Sequence, residues 1–457
     1  MRVLFCASEV VPFAKTGGLA DVAGTLPLEL DRLGVEVLIV MPRYRGIGAR
    51  RKKLTENVHI AFVENEVFFN RASLYGNEKG DYSDNFERFS FFSNHALELA
   101  KETGFKPDIV HANDWQTALM PVLLKTKFSN DPFFNKTKSL LTIHNLAYQG
   151  IFARAAYPDV ELTQEFFSTE AFEFYGKINF LKAGILFSDV ISTVSPTYAA
   201  QIQTKEFGFG LEECVVKKAQ SLHGILNGID VQVWNPAKDK AIKKRYSAAT
   251  LKDKALNKAD LQESCGLEVN SAIPLFGMVT RLAEQKGLES FAEIADEFLS
   301  KKVQFVLLGE GDGVYHTTFR NIGARHPKNT AIYLGFDAEE SHRIYAGCDF
   351  FLMPSLFEPC GLGQLISLRY GTVPIVRKTG GLTDTIIDCG EDPKKGNGFS
   401  FNGRFSAGFL QAIERALKVF EDKKYFMALQ KTGMAADFSW KRSAREYVKL
   451  YKEILTH

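Results

Sequence analysis

The chain has 457 residues, of which 45% are hydrophobic and 24% charged, with a formal net charge of +2. That length exceeds what one core usually serves, so two domains are expected, and the composition is that of a folded chain rather than a disordered one. A charge so near neutrality gives no global attraction for nucleic acid or an anionic membrane, and neither is expected as a partner.

From the amino end, short apolar runs end in polar loops and alternate with helical patterns, at 2–6, 35–42, 108–114, 139–145, 189–195 and 224–227. Strands alternating with helices predict a parallel sheet covered on both faces. Between 50 and 95 the pattern changes, and 58–63 (VHIAFV) and 66–69 (EVFF) read as antiparallel strands inserted into that domain. The segment 238–264 is rich in Lys, Ala and Asp and reads as a linker. It divides the chain into a first domain, 1–240, and a second, 241–439. Beyond it the rhythm resumes at 274–280, 303–308, 331–336, 349–355 and 373–376, while Leu288, Phe291, Ile294, Ala295, Phe298 and Leu299 have the spacing of one buried helix face. The last stretch, 440–457, has Ala444, Tyr447, Val448, Tyr451 and Leu455 on one side of a helix expected to pack back on the first domain. The fold class is therefore α/β, two doubly wound Rossmann-like domains facing a cleft.

The six cysteines show no C-x-x-C pair, which gives neither a zinc site nor a disulfide framework. With no signal-peptide pattern and no apolar stretch of about 20 residues, a cytoplasmic location is expected. No D-x-D pair or clustered His/Cys spacing is present, so neither a metal nor another cofactor is expected. The G-x-G-x-x-G fingerprint is missing after the first strand, which disfavours a dehydrogenase, and no G-x-S-x-G or Walker A string supports a hydrolase or kinase.

In open parallel sheets ligands bind at the carboxyl ends of the strands. The residues there are Glu9 and Lys15, Asp114, His144 and Asn145, Asn227, Arg281 with Lys286, and Glu358. After the first strand comes Lys15-Thr16-Gly17-Gly18-Leu19-Ala20-Asp21-Val22, and the string recurs at 378–385 as KTGGLTDT after another apolar run. Paired glycines before a helix allow a sharp turn whose free amides suit phosphate, so both copies are expected to serve one site. Arg281 and Lys286 at a strand end can neutralise a diphosphate as it leaves. Glu358 lies in SLFEPCGLG, where a fixed carboxylate can accept from sugar hydroxyls and Gly361, Leu362 and Gly363 offer backbone donors. Cys360, beside those donors, is expected to react with thiol reagents.

KTGGLADV, PRY, HANDWQTAL, TIHNLAYQG, TVSPTYA, FGFGLE, NGID with WNP, TRLAEQKG, EPCGLGQL and KTGGLTDT follow one another along nearly the whole chain. In this the chain resembles the bacterial glycogen synthase and plant starch synthase family, the ADP-glucose-dependent α-glucan synthases. The resemblance implies a glycosyltransferase B-type fold and transfer of glucose from ADP-glucose to the non-reducing end of an α-1,4-glucan, with retention. It implies that Lys15, Gly18, Arg281 and Lys286 hold the diphosphate, with Gly361, Leu362 and Gly363 as backbone donors. It places Asp21, His144 and Asn227 around the glucosyl unit, Glu358 on its hydroxyls, and Glu9, Tyr75 and Asp114 on the acceptor side. Two positions depart from the family pattern: many relatives carry Thr at Gly363, and the second glutamate common in this fold is Ile366 here. The rival readings are a transferase of the same fold with another acceptor and a non-catalytic glucan-binding protein. The oligomeric state stays open.

Overall fold

The structure is a computed structural model describing residues 1–78, 80–156, 166–403 and 406–456. The chain divides into two compact units, Met1–Asn227 with the C-terminal helix, and Gly228–Ser439.

The first unit is built on a sheet whose strands run, in spatial order, Leu222–Gly224, Val190–Thr193, Lys138–Ile143, Ile109–Asn113, Arg2–Cys6, Glu36–Pro42, Val58–Val63 and Arg51–Lys53. All neighbours pair parallel except the last two. Central strands are buried on both faces, which is why Val3, Leu4, Phe5 and Cys6 form an unbroken apolar run. The chain leaves Arg2–Cys6 to one side for Glu36–Pro42 and later returns to the other for Ile109–Asn113. That reversal opens a crevice at the carboxyl ends of the two strands.

Two expectations for the 50–95 region fail. Val58–Val63 pairs parallel with Glu36–Pro42 and extends the main sheet, and only the short edge strand Arg51–Lys53 runs antiparallel. Glu66–Phe69 is a turn of helix, because the Asn65 side chain accepts the Phe68 amide and caps it.

The second unit has a parallel sheet in the order Thr330–Leu334, Gln304–Gly311, Leu275–Leu282, Phe350–Met353, Val373–Arg377 and Phe399–Phe401. The helix Leu288–Ser300 buries Leu288, Phe291, Ile294, Ala295, Phe298 and Leu299, the face its periodicity predicts. Each large side chain among them contributes about 1.5–3 kcal/mol of transfer free energy.

The division falls at Asn227/Gly228 rather than at 240/241, because Ile229, Val231 and Trp234 already pack in a hydrophobic cluster of the second unit with Tyr345 and Tyr370. Nor is 238–264 a linker. Its second half is the helix Lys254–Ser264, whose polar composition hides two buried lysines. Lys254 Nζ donates to Ala346 O (2.7 Å) and Thr372 Oγ1 (2.7 Å), and Lys258 Nζ to Ile273 O (2.6 Å) and Asp349 Oδ2 (2.7 Å).

The C-terminal helix Trp440–Thr456 lies in the first unit, burying Trp440, Ala444, Tyr447, Leu450, Tyr451 and Ile454. Its buried stripe is rotated from the predicted one: Leu455 is exposed and Ile454 takes the inner position. No described helix is long and apolar enough to cross a membrane.

Candidate active site

In the first unit the loop 7–17 carries the chain from the first strand to the helix Gly18–Asp31. Gly17 is the N-cap residue, in extended backbone with no side-chain cap, and a Cβ there would meet nothing within 4 Å. The turn is open to solvent on that side. Its inner side is held by Glu9, whose buried carboxylate accepts from Thr16 N–H (2.5 Å), Gly17 N–H (3.1 Å), Thr16 Oγ1 (3.0 Å) and the Tyr75 hydroxyl (3.1 Å). Tyr75 also hydrogen-bonds Ser8 Oγ at 2.7 Å. Glu9 and Tyr75, expected on the acceptor side, are thus engaged in fixing the glycine turn. Two of its amides are already donated to a carboxylate. Lys15 Nζ stands 2.7 Å from Asp21 Oδ1 in the first helical turn, with both groups partly exposed.

Asp114 and His144 follow neighbouring strands. Asp114 has φ +57, uncommon for a non-glycine residue, and its carboxylate accepts the His144 amide at 2.7 Å. Burial raises its pKa to about 7, against the lowering effect of amides from His144 and Asn145. The His144 ring is set by Asn113, a residue the sequence reading passed over. Asn113 Nδ2 donates to Cys6 O (3.0 Å), so its Oδ1 accepts from His144 Nε2–H (2.9 Å) and leaves Nδ1 as an acceptor. Burial lowers the His144 pKa to about 3, so the ring is neutral at neutral pH. His111 is structural: its nitrogens bond Tyr451 OH (2.7 Å) and Thr142 Oγ1 (2.6 Å) inside the core. Asn227 is buried, and its Oδ1 has no hydrogen-bond partner among the described residues.

In the second unit Arg281 is the penultimate residue of the strand Leu275–Leu282, exposed and without an ion pair among the described residues. Lys286 and Glu358 meet directly, Nζ to Oε2 at 2.6 Å, both largely buried. Ser355 Oγ donates to the same oxygen at 3.0 Å, a contact no sequence signal announced. The two loops that bear this pair are zipped together, with Leu356 N–H donating to Gln285 O (2.8 Å) and Gln285 Nε2 to Phe357 O (3.2 Å). Gly287 completes the fit: it has φ +62, and a Cβ would lie 2.1 Å from Pro354 O. Gly361, Leu362 and Gly363 lead into the helix Gly363–Arg369. A Cβ at Gly363 would press on the Phe351 ring at 3.0 Å, so a larger residue there requires that ring to shift.

The second glycine turn does not match its expected role. Thr379, Gly380 and Gly381 are buried, and a Cβ at Gly380 or Gly381 would lie 2.1 Å from Glu358 O or 2.3 Å from Cys360 O. Its glycines permit backbone to lie on backbone. Cys360 is buried beneath them, which contradicts its expected reactivity. Among the described residues no three His, Cys, Asp or Glu side chains are grouped as a metal site.

Comparison with known proteins covers the chain from end to end. Residues 2–217 match the family model described as starch synthase catalytic domain, and residues 273–419 match glycosyl transferases group 1. The chain is 45% identical to a glycogen synthase of Syntrophotalea carbinolica over 99% of both chains, and 44% identical to that of Geotalea daltonii over 100% of this chain and 99% of the other. Its structure is similar to the catalytic domain of starch synthase IV from Arabidopsis thaliana bound to ADP and acarbose, with TM-score 0.92 and 35% identity, covering 100% of this chain and 99% of the other. Sucrose-phosphate synthase from Thermosynechococcus elongatus shares the fold, with TM-score 0.67 at 16% identity, covering 100% and 99%.

Proposed function

Because the chain belongs to the family of starch synthase catalytic domains and bacterial glycogen synthases, we propose that it extends an α-1,4-glucan, transferring glucose from ADP-glucose to the non-reducing end with retention of configuration. The observation that carries the reading is the placement of the candidate groups: Glu9, Asp114, His144, Arg281 and Glu358 each stand at or just beyond the carboxyl end of a parallel strand.

In the second unit, Arg281 and Lys286 take the diphosphate, and their charge stabilises ADP as the glucosyl bond breaks. Lys286 is held in place by Glu358 at 2.6 Å, and a donor's phosphate competes for the ammonium while sugar hydroxyls donate to the carboxylate. In the first unit, Lys15 and the amide of Gly18 approach phosphate, and Asp21, His144 and Asn227 approach the glucosyl unit. His144 acts as a neutral ring with an acceptor Nδ1, since burial keeps it unprotonated. The cationic pair supplies the charge neutralisation that a metal would otherwise give, so activity is expected to persist in EDTA. We place the reaction in the cytoplasm.

The test is incorporation of label from ADP-glucose and UDP-glucose into precipitated glycogen. The reading predicts transfer with a higher kcat/KM for ADP-glucose. No incorporation from either donor contradicts the function, whereas equal or better use of UDP-glucose contradicts only the donor.

A further inference from the structure

A buried cation stands behind the first glycine turn. Arg88, on the helix Asn85–Glu102, is 0% exposed and makes no ion pair among the described residues. Its guanidinium is turned on the loop before the helix instead: Nε donates to Phe68 O (2.7 Å), Nη2 to Leu74 O (2.9 Å) and Nη1 to Asn85 Oδ1 (2.6 Å). The rings of Phe69, Tyr82 and Phe89 surround it, with centroids 5.6, 5.0 and 5.3 Å from Cζ. Burying a guanidinium with no carboxylate against it is costly, and an apolar side chain would fill the same space without that cost.

What the charge holds is the segment that carries Tyr75. Phe68 O and Leu74 O lie at the two ends of one loop, and Asn85, fixed by the same guanidinium, donates its Nδ2 to Tyr75 O at 2.9 Å. The Tyr75 ring packs on Phe89 with centroids 6.0 Å apart. From there the Tyr75 hydroxyl reaches Ser8 Oγ and Glu9 Oε1, and Glu9 accepts the amides of Thr16 and Gly17. The contacts are continuous from Arg88 to the turn. Glu9 is likewise a buried charge without an ion pair among the described residues, and Tyr44 stands within reach of both. Burial raises the Tyr44 pKa, the Arg88 charge opposes the rise and the Glu9 charge adds to it.

We propose that Arg88 is a positioning residue for the nucleotide-sugar donor, holding Tyr75 and Glu9 so that the turn at 15–18 presents Lys15 and the Gly18 amide to phosphate. The inference rests on the glucan-transfer reading above. A planar guanidinium fork holds two carbonyls and a side-chain amide at once, whereas a lysine ammonium, a point charge on a flexible stem, does not fix all three. Loss of the fork frees Tyr75, and the turn loses its inner support.

Arg88→Met fills much of the space but removes the fork, and Asn85→Ala removes the bond to Tyr75 O. Arg88→Met should raise KM for ADP-glucose about tenfold while KM for glycogen stays within about twofold, with Arg88→Lys between it and wild type and Asn85→Ala shifting the same constant less. Because the effect runs through one hydroxyl, adding Arg88→Met to Tyr75→Phe should raise that KM by less than about twofold more. Phe128→Leu, in the core on the loop that precedes the strand Lys138–Ile143, should lower the melting temperature and leave KM for ADP-glucose unchanged. Amide hydrogen exchange at Thr16 and Gly17 should quicken in Arg88→Met, with none at 378–385. A KM for ADP-glucose within about twofold of wild type in Arg88→Met, or an equal rise in Phe128→Leu, overturns the proposal, and should Arg88→Met fail to fold, an unchanged KM in Asn85→Ala does so. If the wild-type chain transfers no glucose from either donor, the function reading has failed, and exchange decides the positioning: no quickening at Thr16 and Gly17 overturns it.

Discussion

The segments 15–22 and 378–385 share Lys-Thr-Gly-Gly-Leu and an aspartate two residues further on, and each follows a buried parallel strand. In the first, Gly17 faces open space, the turn is tied from within by Glu9, and Lys15 reaches Asp21 across the first turn of a long helix. In the second, Gly380 and Gly381 lie against the backbone of Glu358 and Cys360, Lys378 pairs with Glu391, and the helix that follows, Gly380–Thr385, is short. The difference is made by what lies alongside. The first strand leads into the long loop 7–17, which carries its own carboxylate back to the turn. The second leads straight into its turn, and the backbone of the EPCG loop lies directly against its glycines. One sequence therefore serves as a presented turn in one unit and as a packing device in the other, where it backs the loop that bears Glu358.

Charge removal should separate the two copies most widely. Lys15→Ala is expected to lower kcat/KM for ADP-glucose on the order of 10²-fold, as for loss of a group that stabilises charge in the transition state. Lys378→Ala, which deletes a partly exposed ion pair, should change it less than twofold. Equal losses in steady-state assays of the two variants would break the comparison.

The glycines should separate them in the opposite sense. Gly381→Ala forces a Cβ onto backbone and is expected to cost about 3 kcal/mol in urea unfolding. Gly17→Ala places a Cβ in open space at an ordinary extended φ of −148°, and should stay within about 0.5 kcal/mol. A Gly381→Ala variant as stable as wild type would show that the second turn is not close-packed.

How much of this was legible in the sequence depends on how local each feature is. The strand and helix alternation, the buried face of Leu288–Ser300 and the strand-end positions of His144, Arg281 and Glu358 follow from periodicity and motif ends. The parallel pairing of Val58–Val63 did not, because which edge a strand joins is decided by partners far away in the chain. The helix Lys254–Ser264 was obscured because Lys254 and Lys258 bury their ammonium groups against carbonyls, so a charged composition looked like a linker. The contrast between the glycine turns was hidden for the same reason: Glu9 and the EPCG loop are the deciding neighbours, and neither belongs to the repeated string.

A smaller effect isolates Glu9. Glu9→Gln keeps an acceptor oxygen for the turn but removes the charge that strengthens its bonds to Thr16 and Gly17, and should cost about 1–2 kcal/mol in stability. Its KM for ADP-glucose should rise several-fold while KM for glycogen moves little. A shift confined to glycogen KM would return Glu9 to the acceptor side and weaken the account of the first turn.

The most direct measurement is amide hydrogen exchange over 15–22 and 378–385, with and without saturating ADP. In the free protein the second segment should already be protected, because its glycines are buried and Gly381 N–H is bonded to Glu358 O, whereas the open first segment should exchange faster. On adding ADP, the account predicts slower exchange at 15–22 and no change at 378–385. Slower exchange at 378–385 with none at 15–22 would contradict it.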